Sequence, residues 1–233
     1  NANYRNYILS HFEWAVCENE SKWPANEPSR DSETYTEADY IYNWCNNNGI
    51  KMRGHCLFWE QPSMVPSWAT SLSCSELQGE VNERIDNGVG HFKDKFRHWD
   101  IDNEMLSNDF YGSCLGNQGR ANMFIRANQV DPNCRLFMNE YNGNSFGSYF
   151  AEPYITRANQ LIAIGAPIHG IGIQGDIADV VVLEITGQTA AARRGNRREA
   201  PRPRPRRDRR AVVVDDIGRI DDRSPRITCG HGR

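Results

Sequence analysis

A carboxylate and an amide stand side by side where a predicted buried strand ends, in the stretch Arg97–Glu104 (RHWDIDNE). Apolar Trp99 and Ile101 alternate with acids, and the pattern closes on Asn103 and Glu104. A charged group in an apolar core must be paired or must change its protonation state. Polar residues are also common in turns, so a solvated acidic turn is an equally good interpretation of this stretch alone.

Four other predicted strands end in polar side chains in the same way, and helical periodicity lies between them. Strands that alternate with helices pair in parallel, because a parallel crossover needs a dozen or more residues. The predicted strands are Phe12–Val16, Ile50–Trp59, Arg97–Glu104, Arg135–Asn142 and Ile168–Gly175. The predicted helices are Glu37–Asn48, Glu76–Phe96, Ala121–Val130 and Tyr149–Gly165.

The polar strand ends point to one shared site. In a parallel barrel the active site is built at the carboxyl ends of the strands. A single polar end is uninformative, whereas five on one side of a sheet indicate a site. The residues concerned are Glu18, Asn19, His55, Asn103, Glu104, Asn139, Tyr141 and Gln174.

Length and charge narrow the function classes. The 233 residues suffice for one domain with a large core. The net charge of -3 does not favour nucleic acid or anionic membranes as partners. No apolar run reaches the roughly 18 residues of a membrane span. We therefore expect neither a nucleic-acid nor a membrane partner.

The seven cysteines are scattered and form no CxxC pair, which argues against a zinc ribbon or a thioredoxin-type motif. Their spacing fits buried free thiols as well as the disulfides of a secreted protein, and the sequence leaves both open.

The character of the chain changes after Gly187. The range Arg193–Arg210 holds ten arginines with three interleaved prolines. Proline blocks helix and central strand, and the like charges repel, so we expect disorder rather than a nucleic-acid-binding arm. Ala211–Asp216 briefly returns to a strand-like pattern. The predicted organisation is a globular unit over 1–187 and a divergent tail over 188–233.

Five motifs, taken together and in order, resemble glycoside hydrolase family 10, the retaining endo-β-1,4-xylanases. The resemblance covers roughly residues 4 to 175, and its cysteine-containing variants are more similar to the animal members than to the bacterial ones. The motifs are Glu18–Trp23 (ENESKW), Arg53–Trp59 (RGHCLFW), Trp99–Glu104 (WDIDNE), Met138–Asn142 (MNEYN) and Gly172–Gly175 (GIQG).

This resemblance implies a (β/α)8 TIM barrel that is incomplete, with strands 2 to 6 recognisable. It implies cleavage of xylan with Glu104 as general acid/base and Asn103 beside it on the sugar 2-hydroxyl. The residues implied to bind glycone sugars are Glu18, Asn19 and Lys22, and those implied to line the subsite at the scissile bond are His55, Trp59, Tyr141 and Gln174.

The resemblance further implies no cofactor or metal, a monomer, and an extracellular location where xylan and xylo-oligosaccharides are the partners. Each residue also has a structural interpretation. Trp23 and Trp59 could stack on sugar rings or belong to the core. Lys22 could be a surface cation, and His55 a satisfied core imidazole.

The chain departs from the family at the second carboxyl. Retaining hydrolysis needs two carboxyls about 5 to 5.5 Å apart, one as acid/base and one as nucleophile. Asp176 stands where the family has the histidine that orients the nucleophile. Glu184 lies only ten residues after Gln174, which is too few for a parallel crossover. Asp216 has enough chain before it, but it is a shorter acid that follows the Arg-Pro tract.

The nucleophile therefore stays unassigned, and three functions are open. The first is a retaining endo-xylanase. The second is a remnant that binds xylo-oligosaccharides without hydrolysing them. The third and weakest is a hydrolase of the same barrel type that acts on another polysaccharide, such as a β-glucanase.

Overall fold

The computed structural model describes residues 2–141, 148–174, 183–184 and 210–214. Its helices are α1 (Ala2–His11), α2 (Trp23–Asn26), α3 (Thr36–Asn47), α4 (Cys74–Arg84), α5 (Phe110–Val130) and α6 (Ser148–Ala163). Its strands are β1 (Phe12–Cys17), β2 (Lys51–Gly54), β3 (Phe58–Trp59), β4 (Phe96–Asn103), β5 (Arg135–Glu140), β6 (Gly170–Ile173), β7 (Leu183–Glu184) and β8 (Arg210–Val214).

The strands form one sheet in the order β7-β6-β5-β4-β2-β1-β8, and the short strand β3 pairs with β4 beyond the end of β2. All neighbouring pairs are parallel except β6 and β7. The chain passes through a helix between most successive parallel strands. This arrangement agrees with the predicted incomplete (β/α)8 barrel, since the carboxyl ends of β1, β2, β4, β5 and β6 meet at one edge.

The helix boundaries differ from the sequence prediction in two places. The helix predicted over Glu76–Phe96 ends at Arg84 and continues as a π-helical turn over Ile85–Val89, and Phe96 already begins β4. The helix predicted over Ala121–Val130 begins eleven residues earlier, at Phe110. Gly116 (φ 64°) interrupts it, and its glycine-rich first half carries no apolar period for a sequence reading to detect.

Strand β4 lies at the centre of the core, and its last five residues are all buried. Trp99 packs against Phe92 and Phe96, with ring centroids 6.2 and 5.2 Å away. Gly54 on β2 makes room for this indole, because a Cβ there would lie 2.2 Å from the ring. Burial of this aromatic group holds β4 against the helical layer.

A register shift between Asp100 and Asp102 interrupts the pairing of β4 with β5. Side chains two residues apart on a regular strand share one face. Here Asp100 contacts Arg53 of β2, whereas Asp102 lies 3.5 Å from the Arg120 guanidinium of α5. The irregularity thus gives two acids on one strand different surroundings.

The C-terminal part of the chain contributes two strands to the described residues. Strand β8 pairs in parallel with β1, with Val214 beside Cys17. This strand coincides with the strand-like pattern that the sequence showed over Ala211–Asp216, after the Arg-Pro tract for which disorder was predicted. The rest of the predicted tail, the predicted boundary at residue 187, Asp176 and Asp216 lie outside the described residues, so the division into 1–187 and 188–233 stays a prediction.

The cysteines divide between the two alternatives that the sequence left open. Cys74 and Cys114 form a disulfide that joins α4 to α5. Cys17, Cys45, Cys56 and Cys134 are free and buried. Burial raises the pKa of the Cys45 thiol to about 12, so a thiol of this kind is unreactive at neutral pH.

We expect the double substitution Cys74→Ser/Cys114→Ser to lower the free energy of unfolding by about 4 kcal/mol, because the bond closes a 40-residue separation. Urea unfolding with and without a reductant measures this loss. The reductant should destabilise the wild type and leave the double variant unchanged. The control Cys45→Ser keeps the disulfide and should retain the response to reductant. An equal response in wild type and double variant would contradict the assignment of the disulfide.

Candidate functional site

Glu104 follows the last residue of β4 directly, in the left-handed backbone region at φ 63°. Non-glycine residues rarely adopt this conformation, and those that do cluster at functional sites. The Trp59 indole Nε1 donates to Glu104 Oε2 at 2.6 Å, and Gln174 Nε2 lies 3.4 Å from Oε1. The carboxylate is 6% exposed. Three strand ends therefore converge on one buried carboxyl.

The side-chain oxygen of Asn103 accepts two hydrogen bonds, whereas its side-chain nitrogen has no acceptor among the described residues. Its Oδ1 accepts from Asn139 Nδ2 at 2.8 Å and from Gln174 Nε2 at 3.1 Å. Its own Nδ2 is buried and has no partner among the described residues. A buried donor without an acceptor is unfavourable, so this N–H is suited to a hydroxyl oxygen of a bound ligand.

Lys22 links the end of β1 to the same group. Its Nζ donates to Asn19 Oδ1 at 3.0 Å and lies 4.8 Å from the centre of the Trp59 ring. Burial lowers the pKa of Lys22, and the nearby acidic groups, including Glu18 and Glu104, partly offset that shift. The ammonium is thus a desolvated cation beside an indole face and a carboxylate.

Arg53 and Asp100, for which no role was predicted, orient the His55 ring. His55 Nδ1 lies 2.9 Å from Asp100 Oδ2, and the Arg53 guanidinium pairs with both oxygens of Asp100. Burial would raise the pKa of Asp100, but the Arg53 charge and the His55 hydrogen bond outweigh it and lower the pKa. Since ionised Asp100 accepts from Nδ1–H, His55 presents Nε2 to the site.

Both the basic Arg53 and the acidic Asp100 stand in the motifs quoted above, and the spacing of their charges was the signal for their role. Arg53 precedes His55 by two residues, so the two side chains share a face of the extended chain. Asp100 lies on the next strand of the sheet, where a partner for both is required.

Glu140 is a second buried carboxyl near Glu104, and its oxygens are already occupied. They accept from Leu106 N at 2.9 Å, Ser107 Oγ at 3.0 Å and Tyr141 N at 3.0 Å. Burial raises the pKa of Glu140 to about 7. These bonds tie the end of β5 to the turn after Glu104, so Glu140 holds that turn in place.

The remaining predicted residues join the group unequally. Glu18 is half-buried, and its negative charge partly offsets the lowering of the Lys22 pKa by burial. Tyr141 directly follows Glu140, and its side chain is 36% exposed. Trp23 is a core residue, since it is 2% exposed and its indole Nε1 donates to Glu27 at 2.8 Å. The core interpretation therefore holds for Trp23, and Trp59 lies at the site.

Glu184 lies at the wrong end of the sheet to complete a pair with Glu104. Strand β7 runs antiparallel to β6, and its pairing sets Glu184 beside Gly170. Gly170 begins β6, whereas Gln174 follows its end, about 13 Å further along the strand. The short connection excluded a parallel crossover in the sequence, and the antiparallel pairing confirms that.

The part of the chain that the structure describes contains neither a cluster of metal ligands nor a membrane-spanning helix. Within it, no group of three or more His, Cys, Asp or Glu side chains could hold a metal ion. None of its helices is both long and apolar enough to cross a membrane.

Comparison with known proteins gives one consistent family. The family model described as Glycosyl hydrolase family 10 matches residues 1–190. The chain is 44% identical over 180 residues to the anti-sigma-I factor RsgI6 of Acetivibrio thermocellus. That alignment covers 77% of this chain and 23% of the relative. It is 39% identical over 183 residues to endo-1,4-beta-xylanase 2 of Arabidopsis thaliana, in an alignment that covers 78% of this chain and 17% of the relative.

A solved structure agrees with the family model. A psychrophilic glycoside hydrolase family 10 endo-beta-1,4-xylanase superposes with a TM-score of 0.69 at 28% identity, over 75% of this chain and 59% of that one. The predicted barrel class is therefore confirmed. The chain spans only part of the length of each of these relatives.

We expect Asp100→Asn to lower the free energy of unfolding by about 3 kcal/mol at pH 7, because it removes one partner of a buried ion pair. The folded-state pKa of Asp100 lies below its usual value. Its contribution is therefore present above the unfolded pKa of about 3.9 and is lost as the pH falls through the folded value. The difference between wild type and variant should shrink in acid.

Urea unfolding at pH 7 and at successively lower pH values checks this expectation. The control is Asp39→Asn, which removes a partly exposed pairing with His91 and Lys95 and should cost less than about 1 kcal/mol. Equal losses in the two variants at pH 7 would contradict the role assigned to Asp100.

Proposed function

Because the chain belongs to glycosyl hydrolase family 10, we propose that it hydrolyses internal β-1,4-xylosidic bonds of xylan with retention, with Glu104 as general acid/base. The observation that carries the proposal is the convergence of Trp59 and Gln174 on the Glu104 carboxyl, with the neighbouring Asn103 bonded to the same Gln174 amide. The relative from Arabidopsis thaliana is named an endo-1,4-beta-xylanase, which supports xylan as the substrate.

The surroundings of Glu104 fit proton transfer to a glycosidic oxygen. A general acid must be held within hydrogen-bond reach of the atom that it protonates. The turn at φ 63° and the Trp59 indole fix the carboxyl in one place. The unpartnered Nδ2 of Asn103 would donate to the sugar 2-hydroxyl, and a bond of this kind strengthens in an oxocarbenium-like transition state.

The other predicted residues supply the walls of a sugar subsite. His55 would present Nε2, and Lys22 with Asn19 and Glu18 would bind hydroxyl groups on the glycone side. The Trp59 ring would add an apolar face for a pyranose ring. Tyr141 would line the same subsite from the end of β5.

We propose further that the protein is a monomer that acts outside the cell on xylan and xylo-oligosaccharides. Xylan is an extracellular polymer, and the Cys74–Cys114 disulfide fits an oxidising compartment.

A second function, binding of xylo-oligosaccharides without hydrolysis, is favoured by two observations. Glu184 lies beside the start of β6 and so away from Glu104. In addition, both oxygens of Glu140 are engaged in holding a turn. A binding remnant would keep the same subsite residues and lack the second carboxyl.

We expect Glu104→Gln to reduce the release of reducing sugar from xylan by at least about 100-fold, because an amide cannot transfer the proton. The measurement compares wild type, Glu104→Gln and a matched control, Glu152→Gln, which changes an exposed residue on α6. The control should keep wild-type activity.

The same samples separate the two functions when xylohexaose binding is also measured by calorimetry. Hydrolysis by the wild type supports the enzyme. Binding without any release of reducing sugar would overturn the enzyme and support the remnant. If the wild type neither binds xylohexaose nor releases reducing sugar, both proposed functions are refuted.

We expect Trp59→Phe to weaken xylohexaose binding or xylan hydrolysis about 10- to 100-fold. The substitution keeps an apolar ring and removes the N–H from which Glu104 accepts a hydrogen bond, and a buried acceptor left without its donor costs about 1–3 kcal/mol. Calorimetry and rate assays measure the effect, with Trp44→Phe on α3 as the control. Equal behaviour of the two variants would exclude a role for the indole N–H.

A further inference from the structure

Two buried carboxyls next to the site share a single guanidinium. The side chains of Glu60 and Asp102 are 0% exposed, and that of Arg120 is 2% exposed. Arg120 also donates to Asp109 at 2.7 Å, whose side chain is 64% exposed. Two carboxylates cannot both stay ionised in such a place against one shared cation, because like charges in a desolvated site repel each other.

The hydrogen bonds distinguish the two carboxyls. Glu60 accepts from Arg120 Nε at 2.6 Å, from Tyr111 N at 2.7 Å and from Gly112 N at 3.4 Å. Neither oxygen of Asp102 receives a hydrogen bond from any described donor. The donors around the cluster therefore stabilise a negative charge on Glu60 and leave Asp102 without support for one.

A proton on Asp102 resolves this imbalance. Asp102 Oδ2 and Glu60 Oε1 lie 3.5 and 2.6 Å from the same Arg120 Nε atom, so the two carboxyls are neighbours that a hydrogen bond could join. Two ionised carboxylates are both acceptors and cannot form such a bond, whereas a protonated acid donates to a carboxylate.

We propose that Asp102 keeps its proton and uses it to donate a hydrogen bond to Glu60, and that this shared-proton pair is a positioning device that holds Trp59 against Glu104. Trp59 directly precedes Glu60 and pairs with Asn103 on β4. Glu60 N donates to Asn103 O at 3.0 Å. The pair thus fastens β3 to the end of β4. Its importance for the reaction rests on the proposed function, whereas the pair itself does not.

The electrostatic surroundings agree with a protonated Asp102. Burial and the Glu60 charge outweigh Arg120 and hold the pKa of Asp102 well above its usual value. The folded state then binds a proton that the unfolded chain releases, so this group lowers stability as the pH rises towards the folded pKa. The titratable groups around Asp102 are Cys56, Glu60, Asp109, Tyr111, Arg120, Glu140 and Tyr154.

The substitution Asp102→Asn tests the proton directly, because its amide N–H can donate to Glu60 at every pH. From about pH 5 up to the raised folded-state pKa, the wild-type unfolding constant should rise with pH about tenfold per unit more steeply than that of the variant. Other acids contribute equally to both proteins and cancel in the comparison. The control Asp109→Asn alters the exposed partner of the same guanidinium and should keep the wild-type slope.

The positioning role has its own measurement, the hydrogen exchange of the Trp59 indole N–H, assigned with Trp59→Phe. The buried Trp23 indole, which donates to Glu27, is the internal reference. Asp102→Ala should speed Trp59 exchange relative to Trp23 by about tenfold or more at pH 6, since local opening sets the exchange rate. Asp102→Asn should leave this ratio as in the wild type.

Identical pH slopes in wild type and Asp102→Asn would overturn the shared proton. Unchanged Trp59 exchange in Asp102→Ala would overturn the positioning role. If Asp102→Ala does not fold, a Trp59 exchange ratio in Asp102→Asn that departs from the wild type at pH 6 overturns that role. None of these measurements requires substrate. A failure of the wild type to bind xylohexaose would therefore refute the proposed function and not the pair.

Discussion

The pairing of β4 with its neighbours is the constraint on which the rest of the structure depends. This strand binds β2 and β3 on one side and β5 on the other. Trp99 anchors it to the helical layer, and Asn103 and Glu104 complete its end. Each predicted subsite residue that contacts Glu104 reaches it from a strand or loop whose position β4 sets.

The register shift in β4 places its two aspartates in different polar networks. Asp100 holds Arg53 and His55 under the site, and Asp102 meets Glu60 and Arg120 beside it. On a regular strand both acids would compete for the same face. The irregularity separates a carboxylate that is ionised and paired from one that lacks hydrogen-bond donors, so one short strand supports two distinct polar networks.

The candidate site combines charged groups whose burial is tolerated only when they have partners. Lys22 loses hydration beside Trp59, and Glu104 is nearly enclosed. Burial of such charges is unfavourable unless they are paired. Their concentration at one edge of the sheet, with a donor on Asn103 that has no acceptor among the described residues, fits the ligand-binding role that we propose for this edge.

The sequence by itself determined the strand ends, because an apolar run that stops at a polar cluster is a local signal. It therefore predicted Glu104, Asn103 and His55 as neighbours, the resemblance to the family added Trp59, and the carboxyl partner of Glu104 stayed unassigned. Only the tertiary structure decided which tryptophan is core, how Asp100 and Asp102 differ, and that α5 begins at Phe110. These depend on contacts between residues far apart in the chain, such as Asp102 with Arg120 and Cys74 with Cys114. No local pattern records such contacts, because each is fixed by the packing of one element on another.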